Sequence, residues 1–217
     1  FDAGSGVRRF RSAYGNQWSR YYAPVIVNGR VFMAGGQYDG MYAFDATSGA
    51  QHWFFATNQY NEWTPAVAAG VVYAHTGSYT PNVVAVDAMS GTRLFEIADE
   101  DFNWDGWSMH IAPVLGGQSD LLSTQGGRLL SFDLGARQRR YQIRGQFRGT
   151  VAVANDTLYV INGGTLEARR ESDGALAWSW DPKDALIGPA IVTRNIVFVR
   201  SQSRTYAVDI PSRRSVW

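Results

Sequence analysis

The chain has 217 residues, with 20 Lys+Arg against 19 Asp+Glu, 45% hydrophobic and 14% aromatic residues, 23 Gly and no Cys. Balanced charge without a long basic run argues against general binding of nucleic acid or anionic membrane, which needs a dense positive footprint, and the lack of Cys excludes disulfide frameworks, thiolate metal centres and cysteine nucleophiles. No apolar stretch approaches the ~18 residues of a membrane-spanning helix, and residues 1–11 hold neither an initiator Met nor a signal-type apolar core, so the expectation is a soluble chain whose gene starts further upstream.

In chain order, the first element is a nine-residue segment, residues 2–10 (DAGSGVRRF), with Asp first, a small turn-forming middle and an aromatic last. Apolar segments at Pro24-Val25-Ile26, Val31-Phe32-Met33 and Met41-Tyr42-Ala43-Phe44 then lead into a second copy, residues 45–53 (DATSGAQHW). Pro65-Ala66-Val67, Val71-Val72-Tyr73 and Val83-Val84-Ala85-Val86 lead in the same way into residues 87–95 (DAMSGTRLF). Three looser copies follow at residues 133–141, 170–178 and 209–217, preceded by strand openings at Pro113, Thr150 and Pro189. The copies start 43, 42, 46, 37 and 39 residues apart, and every strand opening lies 20 to 22 residues before its turn. A period of about 41 with short alternating runs and no helical periodicity predicts an all-β protein built from four-stranded up-and-down blades, a β-propeller.

The recurrent positions read as architecture rather than catalysis. Asp45, Asp87 and Asp209 can accept hydrogen bonds from their own turns, Gly49 and Gly91 permit positive φ, and Trp53, Trp178 and Trp217 can fill the wedge between neighbouring blades.

The segments YAFDATSGAQHW and VAVDAMSGTRLF resemble the PQQ-like repeat, the tryptophan-docking motif shared by quinoprotein alcohol dehydrogenases and BamB-like assembly proteins. The resemblance implies one propeller domain with blades over about residues 11–54, 55–97, 98–143, 144–180 and 181–217, and residues 1–10 as the last strand of a preceding blade. Six copies of the fourth strand against five of the other three imply about five blades of a seven- or eight-bladed ring, with the remaining blades as partners. It also implies a periplasmic or otherwise extracytoplasmic location and a non-catalytic scaffold that binds a protein partner or ligand and needs no cofactor. The alternative within the family is a quinoprotein alcohol or sugar dehydrogenase, or a degenerate descendant, using PQQ and calcium.

Departures from the repeat are where function is sought. The longest is the connection at residues 98–110, where Asp101, Asn103, Asp105 and Gly106 fit the start of a calcium loop while Met109 and Ala112 stand where later ligands belong. A solvated acidic loop is the competing reading. Trp104-Asp105 resembles the Trp-Asp region of the quinoprotein dehydrogenases, which would make Asp105 the base. The family's calcium-binding Asn has no counterpart at Ser78, and its paired cysteines are absent.

Aromatics cluster before the blade-opening strands: Trp18, Trp63, Trp107 and Phe147, with Tyr22, Tyr60 and His110 nearby. On a propeller these connections cross one face, so together with Trp104 they predict either an amphipathic rim for a peptide, sugar or flat cofactor, or rings buried between blades. Arg137, Arg139, Arg140, Arg144 and Arg148 form a run that reads as a basic patch for an acidic partner or as a solvated edge that blocks strand pairing. His52, His75 and His110 show no ligand spacing.

Overall fold

A computed structural model describes residues 1–14, 23–35, 39–59, 62–76, 82–102 and 110–217. They contain strands and no helix. β1 (Val25–Val27), β2 (Arg30–Ala34), β3 (Asp39–Asp45) and β4 (Gln51–Gln59) form a four-stranded meander. After the two-residue β5 (Glu62–Trp63), the pattern repeats with β6 (Ala66–Ala68), β7 (Val71–Thr76), β8 (Asn82–Asp87) and β9 (Arg93–Ala98). A second two-residue strand, β10 (His110–Ile111), precedes a seven-stranded sheet. That sheet comprises β11 (Val114–Leu115), β12 (Asp120–Gln125), β13 (Gly127–Asp133), β14 (Gln138–Ala154), β15 (Thr157–Asn162), β16 (Thr165–Arg170) and β17 (Leu176–Trp180). The last meander is β18 (Ile187–Val192), β19 (Ile196–Arg200), β20 (Thr205–Asp209) and β21 (Arg214–Ser215). All ladders with a resolved register are antiparallel between consecutive strands, as an up-and-down blade requires.

The chain divides into two compact units, residues 1–96 with 106–110, and residues 97–105 with 111–217. In both, the middle strands are buried on both faces: Val83 to Val86 of β8 and Leu129 to Phe132 of β13 are fully or nearly fully enclosed. Such strands read as unbroken apolar runs, because each sheet lies between neighbours. The outer strand β9 is instead mostly exposed. Within the second unit, Leu122 and Leu129 pack with Phe147, Val151, Leu158 and Val160 of the next repeat, and Tyr159, Ile161 and Leu166 pack with Val197, Val199 and Val208 of the one after. Adhesion between successive repeats is therefore hydrophobic burial.

The expected blade boundary near residue 144 lies inside a single 17-residue strand, β14. Its first part pairs with β13 and its second with β15, and a register shift between Arg148 and Ala152 separates the β15 pairs. One strand thus serves as outer strand of one meander and inner strand of the next.

The turns behave as their chemistry dictates. Asp45 Oδ1 accepts hydrogen bonds from Thr47 N (3.0 Å), Ser48 N (2.7 Å) and Ser48 Oγ (2.9 Å), and Asp87 does the same with Met89 and Ser90. Asp209 takes Ser212 N and Oγ at 2.7 and 2.6 Å. These donors favour the ionised form, led by the backbone amide of the Ser for Asp45 and Asp87 and by its hydroxyl for Asp209, and hold the carboxyls below the usual range. In the fourth repeat Arg170 replaces the Asp, and the roles reverse: Asp173, three residues on, takes Arg170 Nε at 2.9 Å and Ala175 N at 2.9 Å.

The fifth turn residue needs positive φ whatever its type. Gly49 and Gly91 adopt +75° and +73°, and Arg137 and Arg213 adopt +55° and +57°. A side chain there costs about 1–2 kcal/mol. Arg213→Gly is therefore expected to raise the free energy of unfolding by about 1 kcal/mol after the greater entropy of an unfolded Gly is subtracted, as read by chemical denaturation.

Candidate functional site

An up-and-down meander sends its turns to two ends. In the second unit the acidic turns at residues 133–137, 170–174 and 209–213 lie at one end, and the turns between second and third strands, around residues 126, 163 and 202, lie at the other with the connection 181–186. The base of the long connection beginning at Asp99 is tied to that second end.

Asp99 is fully buried and meets Arg128 in a bidentate pair, Nη1 to Oδ1 and Nη2 to Oδ2, both 2.8 Å. Arg128 Nη1 also donates to Gln142 Oε1 at 2.8 Å, its Nε to the Gln125 carbonyl at 3.2 Å and its Nη2 to Gln125 Oε1. Asp101, the first expected calcium ligand, pairs with Arg139 Nη2 at 2.9 Å and accepts a hydrogen bond from Gln142 Nε2 at 3.1 Å. Its carboxylate is thus held by an arginine as placed. Asn103, Trp104, Asp105 and Trp107 lie outside the described residues, as do Trp18, Tyr22 and Tyr60. His110 begins β10. Among the described residues no group of three or more His, Asp or Glu could hold a metal.

Trp63 is 2% exposed and Phe147 equally enclosed, so these two rings are packing elements, the second of the two readings of the aromatic set. The arginine run also divides. Arg139 and Arg140 turn to carboxylates, Arg140 Nη2 to Asp133 Oδ2 at 2.9 Å, whereas Arg148 stays exposed. Among the architectural positions, Trp53 is buried, Trp178 half-buried and Trp217 72% exposed. His52 Nε2 stands 3.7 Å from Asp45, and His75 is buried on β7.

Sequence reasoning missed a cavity of about 370 Å³ at the end of the second unit opposite its acidic turns, lined by Gln146, Arg148, Ile161, Leu186, Ile187 and three glycines. Its walls are fixed by two main-chain hydrogen bonds, Leu186 N to Gly164 O (2.9 Å) and Gly163 N to Gln146 O (3.2 Å), and by Gln146 N donating to the Asn162 side chain at Oδ1 (2.8 Å). Gly164, at φ +88°, lets the 181–186 connection come close, since a Cβ there would lie 3.0 Å from that of Ala185. The Arg200 guanidinium flanks Gly188, 3.6 Å from where its Cβ would stand. Among the described residues neither Arg148 nor Arg200 forms an ion pair, in contrast to Arg128, Arg139 and Arg140. An apolar floor under two unmatched guanidiniums suits a ligand that carries both a carboxylate and apolar groups. The signal available in sequence was weak: the pairs Gly163-Gly164 and Gly188-Pro189 flanking a short loop.

Repeated four-stranded meanders, which within the second unit pack on one another through apolar side chains, define a β-propeller protein. Over residues 1–217 the chain matches the family model described as outer membrane protein assembly factor BamB, and it belongs to that family. Among solved structures it resembles BamB from Moraxella catarrhalis (13% identity, TM-score 0.69, covering 90% of this chain and 62% of that one). It resembles equally a quinohemoprotein alcohol dehydrogenase, ADHIIG, from Pseudomonas putida HK5 (13%, 0.70, covering 89% and 41%) and a europium-containing methanol dehydrogenase (13%, 0.70, covering 96% and 55%). The chain therefore spans less than two thirds of each. No curated protein sequence matches it.

Proposed function

We propose that this chain belongs to a non-catalytic scaffold of the extracytoplasmic space that engages an acidic segment of a protein partner. The observation that carries the reading is the cavity lined by Arg148, with the Arg200 guanidinium beside Gly188 of its wall, two cations that form no ion pair among the described residues. Family membership supports the location and the assembly role, since the family is described by an outer membrane assembly factor. A photo-cross-linking residue at Ile187, in the protein expressed in its own cell, is expected to yield a discrete adduct with an envelope protein. Charge reversal at both Arg148 and Arg200 should reduce that adduct at least tenfold, because each lost charge-assisted contact is worth about 1.5–3 kcal/mol. An adduct indifferent to the reversal removes the cavity from the interface.

The alternative, a quinoprotein-type oxidoreductase, draws support from the fold shared with two dehydrogenases. Against it stands the pairing of Asp101 with Arg139. Incubation with PQQ and Ca²⁺ followed by gel filtration separates the readings. Retained quinone absorbance with dye-linked alcohol oxidation, lost in Asp105→Ala, would establish the enzyme.

A further inference from the structure

Two positions break the repeat in adjacent meanders, and they meet. The residue after each turn's first is Ala46, Ala88, Leu134 and Ile210 in four repeats but Glu171 in the fourth. The strand residue paired with the turn's first residue is Arg30, Val71, Thr157 or Ile196, but Asp120 in the third. Both carboxyls are 0% exposed. Both pack against Gly116, where a Cβ would lie 2.2 Å from Asp120 Oδ1 and 2.3 Å from Glu171 Oε1.

Their surroundings do not balance two negative charges. Asp120 Oδ2 accepts from Ser131 Oγ at 2.7 Å and sees Arg140 Nη1 only at 3.8 Å, while Arg140 commits its closer contact to Asp133 of β13. Glu171 Oε1 accepts from Gln118 N at 3.1 Å. Arg170 and Asp173, on the turn of Glu171, neutralise each other. Asp120 Oδ1, Glu171 Oε2 and the Tyr141 hydroxyl of β14 are buried without a hydrogen-bond partner. Two ionised carboxylates packed against the same glycine at zero exposure are costly, whereas a proton on Glu171 leaves a single charge for Arg140.

We infer that Glu171 keeps its proton at neutral pH beside the Asp120 carboxylate and forms with it a pH-sensitive latch between the third and fourth repeats. The protonated pair clamps the 116–119 loop of one repeat to the 170–174 turn of the next. Loss of the proton sets two like charges against each other there and opens the joint. Burial, and behind it the charge of Asp120, pushes the Glu171 carboxyl up, and the Gln118 amide opposes it. Burial chiefly, with Asp120 next, pushes the Tyr141 hydroxyl up as well, so it stays protonated and takes no part in the titration. A carboxyl whose folded pKa is raised contributes stability that is complete below the ordinary carboxyl range and lost as pH climbs through the folded value. The latch therefore holds in acid and loosens in alkali.

Hydrogen exchange of residues 114–122 and 170–175 across a pH series tests this. In the wild-type protein the opening constant, corrected for intrinsic exchange, is expected to rise about tenfold per pH unit between the ordinary carboxyl range and the raised folded value, where opening releases the proton, and to level off above it. In Glu171→Gln, whose amide donates to Asp120 as the protonated acid does, it should stay flat and fall below wild type in alkali. A protonated-carboxyl stretch in the infrared spectrum at neutral pH, absent from Glu171→Gln, is the second expected result. Should that variant fail to fold, Asp120→Asn and the infrared band carry the test. An unchanged slope in Glu171→Gln and Asp120→Asn overturns the latch, as does a neutral-pH spectrum without the band. Recovery of wild-type protection in alkali on adding Ca²⁺ would also overturn it, by showing that a cation, not a proton, joins the pair.

Discussion

Trp53→Ala is expected to lower the free energy of unfolding by about 3–5 kcal/mol, the range for truncating a large buried aromatic, measured by guanidinium denaturation. The indole, 8% exposed, spans two repeats: it packs at 5.9 Å on the Phe32 ring of its own meander and lies on the Gly91 turn of the next. Its Nε1 donates to the Ala88 carbonyl at 3.1 Å. Trp53→Phe keeps most of the buried surface and loses that bond, so about 1 kcal/mol is expected from the bond itself. The contact with Gly91 makes a double mutant informative. A Cβ on Gly91 would lie 2.7 Å from the indole and sit at φ +73°. Gly91→Ala should therefore cost clash and backbone strain in the wild type, but only the strain, about 1–2 kcal/mol, once Trp53 has been removed. Additive effects would mean that the ring does not rest on the turn.

Arg128→Ala is expected to cost about 3 kcal/mol, near the lower end for breaking a buried ion pair. Removal of the guanidinium takes the bidentate partner from buried Asp99, leaves Arg139 Nη1 at 3.5 Å in partial compensation, and deprives Gln125 and Gln142 of donors. Arg128→Lys should recover little, since an ammonium cannot reproduce the two-pronged geometry. Asp99→Asn combined with Arg128→Met should recover most of the loss, because no unpaired charge then remains inside. Hydrogen exchange provides the local check: protection at residues 97–102 should fall in Arg128→Ala and return in the double variant. Retention of full stability by Arg128→Ala would show that Asp99 is neutral in the folded protein.

The repeat was legible because its determinants are local. An Asp that binds its own turn, a residue at positive φ four positions later and a strand pattern of period two all lie within a few residues of one another, so the four-stranded meanders and the acidic turns could be read from one chain. Even the exceptions were visible, since Arg137 and Arg170 stand out where Gly and Asp belong. What they do was not. Arg137 takes the glycine conformation, and Arg170 exchanges roles with Asp173.

The site was less legible, because its contacts join residues far apart in sequence. Asp101 matched a calcium-loop pattern that specifies spacing alone, and the spacing cannot reveal that Arg139, 38 residues on, neutralises it. Trp63 and Phe147 read as well for a rim as for a core, and only the packing of neighbouring strands buries them. The cavity under Arg148 exists because a turn of one repeat meets the connection to the next.

By itself, then, the sequence determined the element type, the period and the turn chemistry, which depend on neighbours along the chain. The tertiary structure alone decided which charges are matched, which are left over and where two carboxyls are buried side by side. Those outcomes depend on distance through space and on exclusion of water, and neither is encoded at any one position.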